Sequence, residues 1–184
     1  MSTIIRRIRT GEWERVKEIR LAALQDPIAH LAFLDTYENA SSRPDEFWQE
    51  RTAGAAEGES VWQAVAEAAD GRWLGTMTVL VERPGAEGAL AGDVITVPQA
   101  HVVGVYVRPE ARGTGLAHEL IEAAQEWAWS LTEPRLQRVR LYVHEDNARA
   151  EAMYVRAGFK HSGVSVPVPG DGTAREIELA VERD

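Results

Sequence analysis

Two glycines separate an apolar run from a helical pattern in the stretch "RGTGLA", residues 112–117. The run before them, residues 100–108, is rich in β-branched apolar residues and is typical of a strand buried on both faces. After them, apolar residues recur at helical spacing as far as Leu131. Glycines in such a position let a phosphate approach the unpaired N–H groups of a helix's first turn. The stretch therefore indicates an anion site, with Arg112 adding positive charge at its rim.

Two well-known phosphate-binding patterns do not match this stretch. A nucleoside triphosphate loop has a lysine directly after its last glycine, whereas here Gly115 is followed by Leu116. A dinucleotide-binding fingerprint has a third glycine where this chain has His118. From the two glycines alone, an anion site and a tight turn without a ligand are equal alternatives.

The elements around this stretch alternate between strands and helices. Strands are predicted at 3–9, 59–68, 72–82, 100–108, 138–144, 159–168 and 174–182, and helices at 12–25, 44–55, 113–131 and 147–157. Residues 28–41 are predicted as a loop with a short helical turn, and residues 82–93 as a loop rich in Gly and Ala. This order predicts a single α/β domain with a mixed sheet over residues 1–184.

Three side-chain oxygens are predicted to cap helices. They belong to Thr10, to Ser42 in a capping box with Asp45, and to Asp146. The apolar stripe predicted for the first helix contains one charged residue, Arg20, among Trp13, Val16, Ala23 and Leu24.

Composition limits the classes of function. The chain has 184 residues, enough for a sizeable core, and no cysteine, which excludes disulfides, zinc-thiolate sites and a cysteine nucleophile. The formal net charge of −9 argues against non-specific nucleic-acid binding and fits either ordinary solubility or an acidic cleft for a cation. No run approaches the roughly 18–20 apolar residues of a membrane span, and the charged N-terminus is unlike a signal peptide. We expect a cytoplasmic protein with no metal and no membrane or nucleic-acid partner.

The string "VYVRPEARGTGLAHELIEAAQEWA" resembles the Gcn5-related N-acetyltransferase (GNAT) family, whose R/Q-x-x-G-x-G/A motif falls on Arg112, Gly115 and Ala117. A second family pattern, N-x-x-A-x-x-x-Y-x-x-x-G-F, follows at Asn147, Ala150, Tyr154, Gly158 and Phe159. The resemblance covers roughly residues 100–160. It implies a mixed, mostly antiparallel sheet of about seven strands, splayed in the middle and flanked by about four helices.

The resemblance also implies where acetyl-CoA, the family's acyl donor, is bound. Its diphosphate is expected on the main-chain amides of Arg112, Gly113, Thr114, Gly115, Leu116 and Ala117, the last replacing the commoner glycine. Its pantetheine arm is expected to pair like an extra strand with the backbone at Val105, Tyr106 and Val107, which requires the strands at 100–108 and 138–144 to diverge. Asn147 and Tyr154, two helical turns apart, are expected beside the arm.

Acetyl transfer to an amine makes three chemical demands. The amine must lose a proton, because an alkyl amine has a pKa of about 10.4. The developing oxyanion needs a donor, for which a backbone N–H near Val105 is suitable. The departing thiolate needs a proton, which Tyr154 can give. Without cysteine, direct attack in a ternary complex is the simplest mechanism.

The residues on the acceptor side remain open. His101 is the candidate base, because histidine titrates near neutrality, but an ordinary solvated strand-end histidine is an equal alternative. Tyr37 and Glu38 lie in the segment that walls the acceptor site in the family and are the candidate substrate-binding residues. His144 is a weaker candidate for lining the cleft.

The expected function is transfer of an acetyl group to a primary amine of a small molecule or peptide. Two alternatives are kept: a CoA-binding sensor or scaffold without turnover, and an acyltransferase that uses a longer acyl-CoA. The family often forms dimers, so a homodimer is compatible with the resemblance, although no segment of the sequence specifies one.

Overall fold

One seven-stranded sheet organises the chain in the computed structural model, which describes residues 2–90 and 92–184. The strands are β1 (Thr3–Arg7), β2 (Val61–Ala68), β3 (Trp73–Glu82), β4 (Gln99–Val107), β5 (Arg138–His144), β6 (Lys160–Pro167) and β7 (Arg175–Glu182). Their order across the sheet is β1-β2-β3-β4-β5-β7-β6, and every neighbouring pair is antiparallel except β4 and β5. The expected mixed, mostly antiparallel sheet is confirmed.

The helices lie on both faces of this sheet. In the described part of the chain they are α1 (Trp13–Leu24), α2 (Ala29–Ala32), α3 (Tyr37–Ser41), α4 (Asp45–Glu57), α5 (Leu116–Ser130) and α6 (Ala148–Arg156). Short 3-10 turns occupy Thr10–Glu12 and Pro109–Ala111. The four predicted helices are present, and the short α2 and α3 fall within the segment predicted as a loop. None of these helices is long and apolar enough to cross a membrane.

Two of the predicted helix caps are wrong because their hydroxyls have other partners. Thr10 belongs to a 3-10 turn, and its hydroxyl donates to Glu57 Oε1 at 2.8 Å. Ser42 donates to the carbonyl of Asn39 at 2.8 Å, at the end of α3, and Pro44 occupies the N-cap of α4. At the first of these starts the local contact comes from another residue, because Glu12 Oε2 accepts from the amide of Arg9 at 2.8 Å.

The cap of α6 lies one residue later than predicted. Asn147, not Asp146, is the N-cap residue, and its Oδ1 accepts from the amide of Ala150 at 3.3 Å. The amide of Asp146 donates to His144 Nδ1 at 3.1 Å. The residue that the family motif places beside the cofactor thus also begins this helix.

Two hydrophobic clusters fill the layers above and below the sheet. Along β2, Ala64 and Ala66 face the cluster beneath α5, whereas Val65 faces the cluster beneath α1 and α4. This is the period-two alternation of a strand with two buried faces. In the first cluster the rings of Trp62 and Trp127 stack with centroids 5.3 Å apart.

The sheet opens between β4 and β5. These strands pair only at Gln99, Ala100 and His101, so the rest of β4 has β3 on one side and no strand on the other. The register of β4 against β3 shifts after Val103, and Gly104 has a φ of +63°. An extra residue in one strand is a β-bulge, which bends the strand and re-aims its groups. The expected splay is confirmed.

The segment predicted as a Gly- and Ala-rich loop connects β3 to β4. Leu90 of this segment and Ile95 just after it are buried, and Asp93 pairs with Arg140 of β5. The loop is therefore anchored to the sheet from both sides.

Candidate active site

A cavity of about 850 Å³ opens where β4 and β5 diverge. One end reaches the glycine turn before α5, and the walls include β4, β5, α6 and the segment before α3. The wall also includes Phe33, Leu34 and Asp35. A volume of this size is typical of sites for small molecules and cofactors.

The glycine turn requires glycine because of its backbone conformation. Gly113 and Gly115 have φ values of +78° and +90°, a region that side-chain-bearing residues rarely adopt. A Cβ atom added at either position would meet nothing within 4 Å, so the space in front of the turn is open. The chain therefore turns sharply into α5 while leaving its main chain accessible.

The N–H groups of this turn are available to a ligand. Within the described chain, the amides of Gly113, Thr114 and Gly115 donate to no main-chain carbonyl. The first hydrogen bond along α5 runs from Glu119 to Gly115 at 3.1 Å, which leaves the amides of its first turn unpaired. Free N–H groups and the positive end of the helix dipole together form an anion-binding surface.

Arg112 does not supply the free positive charge that the sequence suggested for the rim of the glycine turn. Its amide already donates to Pro109 at 3.3 Å, and its Nε donates to the carbonyl of Val107 at 2.9 Å. Its guanidinium pairs with the carboxylate of Asp26, so its charge is compensated. Burial opposes the ionised form of Asp26, but Arg112 holds the pKa of that carboxyl below its usual range. Arg112 braces the turn instead of offering free charge at its rim.

The free edge of β4 forms one wall of the cavity. Val105 is half-buried there, close to the bulge at Gly104. The side chain of Tyr106 is buried in the cluster beneath α1, and that of Val107 in the cluster beneath α5. An extended ligand could hydrogen-bond to this unpaired edge as a further strand would.

Tyr154 and Asn147 of α6 both line the cavity. Tyr154 is 8% exposed and lies near Phe159, with ring centroids 6.2 Å apart. Burial raises the pKa of the Tyr154 hydroxyl, which keeps it protonated at neutral pH. No group in the described chain hydrogen-bonds to this hydroxyl, so its proton is available to a ligand.

His101 lies at the last paired position of β4 and also lines the cavity. Its Nδ1 is fully buried, 3.5 Å from Glu82 Oε2, and its ring stands edge-on to Tyr142 with centroids 5.6 Å apart. Nε2 is therefore the ring nitrogen that can reach the cavity.

Behind His101 lies a buried charge network centred on Arg140, whose side chain is 1% exposed. Its guanidinium donates to Glu82 at 2.7 Å, to Asp93 at 2.6 Å and to Glu178 at 3.0 Å. Burial opposes ionisation of Glu82 and Glu178, but the His101 ring and Arg140 lower the pKa of Glu82, and Arg138 with Arg140 lowers that of Glu178. The network joins β3, β5, β7 and the β3–β4 loop.

Other residues predicted on the acceptor side do not line the cavity. Tyr37 packs against the cluster beneath α1, and Glu38 lies in the first turn of α3. His144 is buried, its Nδ1 accepts from Asp146, and it does not appear in the cavity wall. The family's acceptor segment does contribute to the wall, but through Phe33 and its neighbours four residues earlier.

The structure adds one acidic residue that the sequence analysis missed. Glu176 of β7 is 8% exposed and lines the cavity, opposite His144 in the β5–β7 register. Burial raises the pKa of Glu176, partly offset by His144. No basic side chain in the described residues forms an ion pair with it. Acidic residues at alternating positions of a strand resemble a solvent-facing row, so no feature of the sequence singled out Glu176.

Two arginines were also missed, Arg20 of α1 and Arg51 of α4, which both line the cavity. The feature of the sequence that could have pointed to Arg20 was its place among the apolar residues on one side of the first helix. Within residues 2–90 and 92–184, no cluster of three His, Asp or Glu side chains could hold a metal ion.

Comparisons with known proteins agree with this geometry. The model of the family described as "Acetyltransferase (GNAT) family" matches residues 13–159. A mycothiol acetyltransferase from Geodermatophilus obscurus is 37% identical over 95 residues, 52% of this chain and 28% of the relative. The chain thus spans about a quarter of that curated relative's length.

Solved structures show the same fold at low sequence identity. The acetyltransferase of GNAT family from Streptococcus pneumoniae superposes with a TM-score of 0.75 at 14% identity, over 99% of this chain and 100% of that one. The spermidine N-acetyltransferase from Vibrio cholerae, in complex with CoA and spermine, gives 0.70 at 15% identity, over 98% and 95% of the two chains.

Proposed function

Because the chain belongs to the GNAT family of acetyltransferases, we propose that it transfers an acetyl group from acetyl-CoA to a primary amine of a small-molecule or peptide acceptor. The observation that carries this proposal is the continuity of one cavity. It runs from the free amides before α5, along the unpaired edge of β4, to the hydroxyl of Tyr154.

The donor end of the cavity suits a coenzyme A thioester, which supplies the activated acetyl group when bound. Amides from Gly113 to Ala117 bind the diphosphate, with no help from the compensated charge of Arg112. The edge of β4 at Val105 and Val107 orients the pantetheine arm, with Asn147 across the cavity. A main-chain N–H near Val105 stabilises the negative charge that develops on the carbonyl oxygen.

Two side chains carry out the proton transfers of the reaction. His101 accepts the proton of the acceptor amine at Nε2, while Glu82 beside Nδ1 stabilises the imidazolium that results. Tyr154 donates its hydroxyl proton to the departing thiolate, and its buried position keeps that proton in place until the thiolate forms. The amine attacks the thioester carbonyl directly, so no residue carries the acetyl group.

The test is release of free CoA from acetyl-CoA by the purified chain with a panel of amines. We expect release above the hydrolytic background with at least one amine. Tight calorimetric binding of acetyl-CoA without release for any amine would instead assign a CoA sensor or scaffold. Competition among acetyl-, propionyl- and succinyl-CoA identifies the preferred acyl chain, and preference for a longer chain would overturn the acetyl assignment.

A further inference from the structure

The structure points to an acceptor that carries a carboxylate as well as its amine. We propose that Arg20 and Arg51 form a subsite for that carboxylate in the acceptor part of the cavity. This inference rests on the proposed function and narrows its acceptor to amino acids and similar zwitterionic molecules. Four observations support it: a local excess of positive charge, the stacking of Arg20 on Phe33, the position of the pair, and an acid that lines the same cavity.

The excess of charge comes from three arginines around one carboxylate. Only Arg43 pairs with Asp35, at 3.1 Å. Asp35 also accepts from the amide of Thr36 at 2.9 Å and from Asn39 Nδ2 at 2.6 Å, which occupy its Oδ1. Arg20 and Arg51 therefore have no carboxylate within ion-pair distance in the part of the chain that the structure describes.

Arg20 is half-buried in the cavity wall, whereas Arg51 is exposed to solvent. Arg20 lies between α1 and the cavity, with its guanidinium 4.8 Å over the ring of Phe33. Burial, together with the charges of Arg51 and Arg43, lowers the pKa of Arg20 to about 10, although Asp35 partly opposes this. A desolvated guanidinium with unused N–H donors is stabilised by a bidentate carboxylate.

The pair lies on the acceptor side of the sheet. Arg20 Nη1 is 4.0 Å from the position of a Cβ at Gly104, the bulge of β4. Arg20 and Arg51 also border a small void beside Thr76 and Thr78. The amides proposed for the coenzyme's diphosphate lie in the glycine turn and the first residues of α5, and α5 packs on the opposite face of the sheet from α1. Arg20 and Arg51 are thus on the side of the sheet where we place the acceptor, away from the coenzyme's diphosphate.

A complementary acid completes the argument. Glu176 has no basic partner within the described residues and lines the same cavity. An ammonium group is attracted to this carboxylate while the acceptor's own carboxylate pairs with the arginines. A polyamine would satisfy Glu176 but would be repelled by Arg20 and Arg51. The net charge of −9 for the whole chain therefore does not describe the charge of this pocket.

The experiment compares amines that differ by one carboxylate. L-phenylalanine is paired with phenethylamine, L-lysine with cadaverine, and L-leucine with isoamylamine, and kcat/KM is measured from CoA release. We expect at least about a 10-fold preference for a carboxylated member. Arg20→Gln and Arg51→Gln should each raise KM for that acceptor by about 10-fold or more, with a smaller change in kcat and unchanged calorimetric affinity for acetyl-CoA.

A binding measurement separates this inference from the proposed function. Calorimetry of the same amines with the CoA-loaded protein reports the subsite even without turnover, and the carboxylated member should bind more tightly until Arg20 is replaced. Arg135→Gln removes an equal charge from an exposed position and is the matched control. Equal binding of both members, in any pair that binds, would overturn the subsite. So would binding by none of the carboxylated amines, or weaker acetyl-CoA binding in Arg20→Gln.

Discussion

At the scale of residues, each proposed role depends on whether the side chain has a polar atom that is not engaged by another residue of the described chain. Among the residues that the structure describes, none hydrogen-bonds to the hydroxyl of Tyr154, a residue that lines the cavity. His101 has one nitrogen beside Glu82, which leaves the other for chemistry. Arg112, by contrast, is fully occupied by Asp26 and Val107 and is structural in character. Groups without a hydrogen-bond partner in the described chain are thus assigned to ligand binding or catalysis, and groups with such partners to support of the structure.

Replacing Tyr154 by Phe removes the proposed proton donor and keeps the ring in place. We expect turnover to fall by roughly 100-fold or more, since general acid catalysis contributes this much, while acetyl-CoA affinity changes little. Steady-state kinetics and calorimetry measure the two quantities. Turnover equal to that of the unmodified protein would remove Tyr154 as the acid.

Replacing His101 by Ala should lower turnover by roughly 100-fold or more, because the proposed general base is then absent. His101→Gln, which retains much of the side-chain volume, should behave in the same way and separates chemistry from packing. The control is His161→Ala, an exposed histidine paired with Glu151 at 2.8 Å. Unchanged turnover in both His101 variants would exclude the residue as base.

At the scale of elements, the important features are the places where regular structure is interrupted. The bulge at Gly104 and the short β4–β5 pairing open the sheet, and the left-handed Gly113 and Gly115 begin α5 with its amides free. Each interruption costs stability, because glycine and unpaired main chain are unfavourable in regular elements. We infer that ligand binding compensates for that cost.

Gly115→Val places a β-branched side chain at a φ of +90° and on the approach to the free amides. We expect weaker acetyl-CoA binding by calorimetry, by about 10-fold or more. Gly170→Val is the matched control, because Gly170 has a φ of +78° in the exposed turn between β6 and β7. Comparable affinity in both variants would mean that the anion binds elsewhere.

At the scale of the whole molecule, Arg140 connects distant parts of the chain. Its three carboxylates come from the end of β3, the β3–β4 loop and β7. Glu82 of this network also lies beside His101, so the ion pairs of Arg140 connect several of the elements that line the cavity. A buried guanidinium among carboxylates is costly to lose, because the remaining charges have no partner.

Arg140→Met should therefore lower the free energy of unfolding by about 3–5 kcal/mol at pH 7. The folded-state pKa values of Glu82 and Glu178 lie below their usual range, so their contribution is present above pH ~4.3 and is lost as pH falls through those values. Without Arg140 the carboxyls should protonate more readily, and the difference between the two proteins should narrow towards pH 4. Urea denaturation at pH 7 and at about pH 3.5, below the usual glutamate pKa of about 4.3, with Arg135→Gln as control, measures this. A difference independent of pH would contradict it.

What could be predicted from the sequence is local. The order of strands and helices follows from periodicities of two and 3.6 residues, and the glycine turn follows from backbone conformations that only glycine adopts easily. The motif around Tyr154 is likewise contained within one helix and its ends. Helix starts were less predictable, because Thr10 and Ser42 hydrogen-bond to groups other than the predicted cap amides.

The sequence by itself determined the family, the strand and helix order and the glycine turn before α5, since each depends on residues close together in the chain. Only the tertiary structure decided which charges are free. Arg112 is compensated by Asp26, 86 residues away, whereas Arg20 and Glu176 are left facing the cavity. That difference depends on the splay of β4 from β5 and on the placement of β7 beside β5, which long-range packing determines.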